Sequence, residues 1–406
     1  MGGHMYTHRI LICIVCLISC CLVSQAQYKR IQEDGVEVVI NGPQPNTIEN
    51  RIMQLSLEPD LVIDMEEQKF ARLALRDLWM FNVDAQGNIF LWDLPLTKAD
   101  IVYKLDPEGN FITSFLKHGQ GPGEVQSPST AEITSDNELM ISDFFPRKLL
   151  YFDLHGIFLR EERLDERIGG AYTLRSSHYF VLKTRTIPGS NNRESLRTIC
   201  DDSFQETMIL TSKKLQDLRT AERINGITAD ESFLLYAVSR DKIYLGDNEK
   251  EIYEILCFDL EGDLIRKIRK IFTPVKVTEE FKKKKLAPYE KPANAMMRSV
   301  RNRLYFPNHF PPYQNMFCDD EGHLFVMTYE TGKNRGEYLW DIFDDEGRYL
   351  GKVGIGNYGI WERRNPGQLK VKAKNQRLYC ILIKENGFKE LIRYRMEWEN
   401  RTGSNE

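Results

Sequence analysis

The chain has 406 residues, of which 42% are hydrophobic and 28% charged, and a net charge of −4. Those proportions exclude a disordered acidic chain and a membrane helix bundle. With no basic excess, nucleic-acid binding through phosphates is excluded as well. Length alone suggests two or three domains, and the 11% aromatic fraction favours strands over helices.

The first element is an address. Residues 10–23, ILICIVCLISCCLV, carry no charge; Arg9 precedes them and Ser24-Gln25-Ala26 follows. A basic flank, an apolar run and a small-x-small site read as a signal peptide over residues 1–26, cleaved after Ala26. The run falls short of the about 20 residues that span a bilayer. The alternative is Leu17-Ile18-Ser19-Cys20, which resembles a bacterial lipobox with Cys20 lipidated. Either route exports the protein to the periplasm or beyond, and the second tethers it to a membrane. The remaining cysteines, Cys200, Cys257, Cys318 and Cys380, have no CxxC spacing and sit in or beside apolar stretches. That suits free buried thiols rather than zinc ligands or disulfides.

Two short patterns then alternate. One is a polar turn followed by a strand-like run: DAQGNIFLW (84–92), SDNELMIS (135–142), SSHYFVL (176–182), SRDKIYLG (239–246), DDEGHLFVM (319–327) and KNQRLYCIL (374–382). The other is an apolar run closed by Asp-x-x-Gly, as in VYKLDPEGNFI (102–112), LYFDLHGIFL (150–159), ILCFDLEGDLI (255–265) and DIFDDEGRYL (341–350). A degenerate copy at 198–209 lacks the glycine. Asp-x-x-Gly fits a hairpin turn, the carboxylate accepting from a backbone N–H two residues on and Gly taking φ > 0. Meander units of about four strands cannot bury both faces alone, and stacking them radially solves that problem. The reading is an all-β, six-bladed β-propeller filling residues 27–406 as one domain.

Residues 273–303 break the strand rhythm. Thr278 is placed to cap a helix with Glu279 and Glu280 in its first turn and Lys282 to Lys285 near its end, and a second helix is expected over 293–303. The four lysines read as a solvated helix face. Ring closure is expected from VEVVI (36–40) or LVIDM (61–65) pairing with the C-terminal strand within 385–398.

The stretch from Gly109 to Leu159 resembles an NHL-type propeller repeat. It carries the loop Gly119-Gln120-Gly121-Pro122-Gly123-Glu124, the downstream Pro128, the strand end Ile141-Ser142-Asp143 and Tyr151-Phe152-Asp153 followed by Gly156. Tyr253-Glu254-Ile255, Phe258-Asp259 and Gly262, with a terminal strand bearing Arg393-Tyr394 and Trp398, extend the resemblance to secreted bacterial six-bladed propellers over roughly residues 35–400. The resemblance implies the fold and no activity.

Candidate chemistry is sparse. The GQGPGE loop lacks the Gly-Lys-Ser/Thr ending of a phosphate-binding loop and reads as an inter-blade turn. Asp93, Asp143 and Asp247 end equivalent strands; they fit local turns, with a shared calcium site as the rival reading. His118, Gln120, Arg147, Lys183, Arg185, His309, Tyr313 and Tyr329 fall on or beside connections, where a propeller places ligand-binding groups. The expected function is a monomeric, exported binding module for a protein, peptide or glycan, without nucleic acid, meeting a membrane only through a lipid on Cys20, and without an assigned cofactor. The rival is a propeller lyase or hydrolase holding a metal in its central channel, with His118 or His309 as a ligand.

Overall fold

The computed structural model describes residues 28–402 apart from 49–50, 74, 76, 94–99, 165–167, 175–177, 191, 216, 218–219, 228–233, 292–293, 335 and 357–370. Residues 1–26, expected to be a signal peptide, and Cys20 within them lie outside the described residues.

Aspartate turns set the rhythm of the chain. Asp106 Oδ1 accepts from the backbone N–H groups of Glu108 (3.0 Å) and Asn110 (2.8 Å), and Gly109 takes φ 84°. Asp84, Asp153, Asp201, Asp259, Asp319 and Asp344 accept bonds from the second and fourth residues beyond them in the same way. In the copy without glycine, Phe204 adopts φ 59° and stacks on Tyr179 with ring centroids 4.4 Å apart.

These turns fold the chain into six antiparallel blades. Blade 1 is Leu78–Val83, Ile89–Asp93, Val102–Leu105 and Phe111–Phe115; blade 2 is Pro128–Ile133, Glu138–Asp143, Lys148–Asp153 and Phe158–Arg163. Blade 3 is Ile168–Thr173, Tyr179–Thr186, Arg193–Cys200 and Glu206–Leu215; blade 4 is Leu234–Val238, Ile243–Asp247, Glu254–Phe258 and Leu264–Lys270. Blade 5 is Asn315–Cys318, Leu324–Thr331, Tyr338–Phe343 and Tyr349–Ile355. Blade 6 joins Val371–Lys374, Arg377–Ile383 and Lys389–Thr402 to the N-terminal strand Arg51–Asp64, paired from Glu390↔Asp64 to Thr402↔Arg51. LVIDM therefore contributes to closing the ring. VEVVI does something else: Val36–Asn41 adds to the outer edge of blade 4, parallel to Leu264–Lys270, and Tyr28–Glu33 pairs outside it. This hairpin covers what would otherwise be a bare sheet edge.

The core is divided among the six blade junctions. Trp92 and Phe90 meet Leu139, Ile141 and Phe152 between blades 1 and 2. Trp340 and Phe325 meet Val371, Leu378 and Cys380 between blades 5 and 6. The other four junctions repeat the arrangement. Each blade thus buries both faces against its neighbours, which is why the aromatic residues are abundant and the strands read as apolar runs. Among the described residues Cys200, Cys257, Cys318 and Cys380 are free thiols, all but Cys318 buried.

The insertion forms two helices, α1 (Glu279–Glu290) and α2 (Ala295–Arg303), capped by Thr278 Oγ1 and Asn294 Oδ1, which accept from Phe281 N (3.1 Å) and Met297 N (2.9 Å). α1 runs on through Pro288, so its lysines lie mid-helix and no basic residue stands in its last turn. The expected match of lysines to the helix C-terminus is therefore corrected, while the acidic first turn stands.

Candidate functional site

Meander topology gives the ring two unlike ends. Connections between strands 1 and 2 and between strands 3 and 4 of a blade emerge at one end, which carries the aspartate turns. Connections between strands 2 and 3, and from strand 4 to the next blade, emerge at the other, the loop end. The insertion and every ligand-binding residue expected from the sequence belong to the loop end.

The structure separates those residues by burial. His118, Gln120, Arg147 and His309 are exposed. Gln120 Nε2 donates to Gln126 Oε1 at 3.1 Å. Arg185 is half-buried, its Nε donating to Glu194 at 2.7 Å. Lys183, Tyr313 and Tyr329 are buried. Lys183 Nζ meets Glu206 at 3.3 Å, Tyr313 Oη donates to the Glu254 carbonyl at 2.6 Å, and Tyr329 stacks on Phe310 at 4.3 Å.

Two of the strand-end aspartates brace their own blades, and Asp247 of blade 4 also reaches blade 3. Asp93 Oδ1 accepts from Asp77 N (2.7 Å), just before the inner strand of blade 1. Asp143 accepts from Gln126 N (2.9 Å) and Ser127 N (2.7 Å), just before the inner strand of blade 2. Asp247 takes Lys213 Nζ (2.7 Å) and Glu249 N (3.0 Å). Among the described residues, the group of carboxylates and imidazoles whose ligand atoms converge within 4.8 Å is a different one, Asp319, Glu321 and His323. It sits in an aspartate turn at the opposite end, where Asp319 Oδ2 bonds His323 Nδ1 at 2.8 Å.

The chemically unusual residues lie toward the axis, on the first strands of blades 2, 3, 4 and 6. Glu132 of blade 2 accepts from Thr173 N of blade 3 at 2.9 Å. Burial pushes its carboxyl up to about 8, against the opposing pull of that bond and of Lys372. Lys372 belongs to blade 6, which is separated from blade 2 by blade 1, so the charge of one reaches the other across the channel. Burial pulls the Lys372 amine down to about 8, Glu132 opposing and Lys374 adding to the effect. Tyr172 of blade 3 and Tyr236 of blade 4 join hydroxyl to hydroxyl at 2.7 Å. Behind them lies buried Arg197, its guanidinium 5.5 Å from the Tyr236 ring and bonded to the Leu234 carbonyl at 2.6 Å. Glu132, Lys372, Tyr172 and Tyr236 are all half-buried.

Sequence reasoning missed this cluster because it followed the second strand of each blade, where the repeat is most regular. The available signal was a polar residue inside a short inner strand: Glu132 in PSTAEI, Tyr172 in IGGAYT, Tyr236 in LLYAV and Lys372 in VKAK. Glu132 and Tyr172 even share a register position, opposite Met140 and Phe180.

The blades, their junctions and the axial channel define a six-bladed β-propeller. Residues 83–334 match the family model DUF5128, described as a 6-bladed β-propeller, and the chain belongs to that family. No curated protein matches it. Among solved structures, a protein assigned as exported from Bacteroides fragilis is similar at 12% identity and TM-score 0.47, covering 89% of this chain and 99% of that one. A DUF4221 family member from Bacteroides vulgatus is similar at 11% identity and TM-score 0.48, over 86% and 99%. A virginiamycin B lyase from Staphylococcus aureus is similar at 11% identity and TM-score 0.35, over 84% and 88%.

Proposed function

We propose that this protein is an exported binding propeller whose axial channel takes a peptide, recognising an amine and a carboxylate together. The observation that supports this reading is a carboxyl and an amine, Glu132 and Lys372, on the inner strands of non-neighbouring blades, each disfavoured in its charged form by burial and each favoured by the other's charge. Burial removes the hydration that stabilises the charged form of both groups. A ligand ammonium beside Glu132 and a ligand carboxylate beside Lys372 restore it through charge-assisted hydrogen bonds. A glycan without charge offers neither. The Tyr172–Tyr236 pair adds two hydroxyls and two ring faces for an uncharged backbone.

Calorimetric titration of the mature protein with short unblocked peptides tests this. Binding is expected, with a loss of at least tenfold in Glu132→Gln or Lys372→Met and when either peptide end is blocked. Equal affinity for blocked and free peptides would overturn it.

The same pair favours one second reading, an acid–base enzyme, because groups titrating near 8 can exchange protons at neutral pH. The residues do not fit the expected channel metal. One carboxylate, two phenols and an adjacent ammonium make a poor cation site, and His118 and His309 lie on exposed loop segments. Turnover of a bound peptide, abolished by Glu132→Gln, would favour the enzyme.

A further inference from the structure

The insertion that follows blade 4 is unlike the rest of the molecule in charge. Residues 271–310 hold nine lysines and arginines against three glutamates, in a chain whose net charge is −4. Lys276, Lys283, Lys284, Lys291, Arg298 and Arg301 are exposed. The acidic residues are Glu279, Glu280 and Glu290, of which Glu279 is paired with Lys282 at 2.6 Å.

The helices earn little from the fold. α1 buries no side chain and α2 buries only Val300. A helix of twelve residues is marginal without a packed face. Four consecutive lysines add repulsion and Pro288 removes a backbone bond. Phe281 of α1 offsets part of these costs by packing edge-on against Phe310 (4.8 Å) and Phe306 (6.3 Å), and the rest of the insertion's surface is exposed and basic. Apolar side chains are interleaved with the charges: Ile271 is 59% exposed, Met296 50% and Tyr305 36%. Basic groups with exposed apolar side chains are the chemistry of a surface that rests on anionic headgroups.

The path of the chain points the same way. Tyr28 pairs with Asn41, Asn41 pairs with Lys270, and Asn41 O accepts from Ile271 N at 2.9 Å. Tyr28 is thus two strand spacings, about 10 Å, from the first residue of the insertion, at the loop end of blade 4. Cys20, the residue of the lipidation alternative, lies eight positions before Tyr28 in the sequence. A lipid on Cys20 would hold Tyr28 within roughly 27 Å of a bilayer.

We propose that the basic insertion, residues 271–310, is a docking surface for an anionic lipid bilayer. It brings the loop end of blades 4 and 5 to the membrane on the side where the chain begins. This is independent of the channel and of what it binds.

The test is cosedimentation of the purified mature protein with vesicles of phosphatidylcholine alone or with 30% phosphatidylglycerol (about physiological anionic content). Binding to the anionic vesicles only is expected, falling at least tenfold between about 50 and 300 mM salt as screening sets in. Lys283→Glu with Lys284→Glu should reduce binding at least tenfold while the unfolding midpoint stays unchanged, because both side chains are exposed. Met296→Ser should weaken binding without altering its salt dependence. Equal binding to neutral vesicles, no binding to either, or full binding by the double variant would overturn the proposal. A preference for soluble acidic polymer over anionic vesicles would overturn it in favour of a different partner.

Discussion

The carboxylate of Glu132 accepts the backbone N–H of Thr173 at 2.9 Å across the junction of blades 2 and 3, at the wall of the axial channel. This bond holds the side chain in place while burial opposes its charge. Stability therefore depends on pH with a defined sign. The carboxyl is about 8 in the fold against 4.5 for the free group, so its contribution is complete below pH 4.5 and is lost as pH rises toward 8. Lys372 has the opposite sense: its contribution is complete above 10.5 and is lost as pH falls through about 8. Each pKa unit is worth about 1.4 kcal/mol, which partial exposure screens to a total of about 1–2 kcal/mol between pH 5 and 8. Denaturant midpoints of Glu132→Gln should be flatter than wild type over that range. An unchanged slope would remove Glu132 as its source.

Asp143 holds the entry to the inner strand of blade 2 by accepting from Gln126 and Ser127. Asp143→Ala leaves both donors without this acceptor and is expected to cost about 2–3 kcal/mol in urea unfolding. Calcium and a chelator should leave the wild-type midpoint unchanged. Stabilisation by calcium that disappears in the variant would restore the shared-ion reading of Asp93, Asp143 and Asp247.

Asn41 ties the N-terminal hairpin to two blades. It is fully buried; its Nδ2 donates to the Gly347 carbonyl at 2.9 Å and its Oδ1 accepts from Tyr349 N at 2.8 Å. Asn41→Ala leaves both of those backbone groups unsatisfied and should cost about 2–4 kcal/mol. Hydrogen exchange should show faster exchange in Val36–Asn41 first. Uniform loss of protection would mean that the hairpin does not detach separately.

Phe204 occupies the left-handed position that glycine fills in the other aspartate turns. Phe204→Gly relieves about 1 kcal/mol of backbone strain but loses a buried ring worth about 3–5 kcal/mol. A net destabilisation of about 2–4 kcal/mol is expected by denaturation. A stabilised variant would show that the stack on Tyr179 contributes little.

Much of the fold was legible because its signals are local. Asp106, Asp153 and Asp259 each announce a turn within five residues, and the apolar runs beside them announce strands buried on both faces. Closure by LVIDM was legible as one of two options, since length and apolar pattern suit either N-terminal strand. The parallel addition of VEVVI to blade 4 was not, because a parallel partner 229 residues away leaves no local trace. The loop-end residues were legible as connections but not as buried or exposed: Tyr313 and His309 both lie near prolines, yet Tyr313 is buried and His309 faces water. The channel residues come from four blades, and only the closed ring brings them to one axis.

The most direct test of the channel is a crystal structure of the mature protein with a bound short peptide. The account predicts the peptide amine about 3 Å from the Glu132 carboxylate and its carboxylate about 3 Å from Lys372 Nζ, between Tyr172 and Tyr236. A peptide seated on the outer loops, with Glu132 and Lys372 contacting only water, would contradict it.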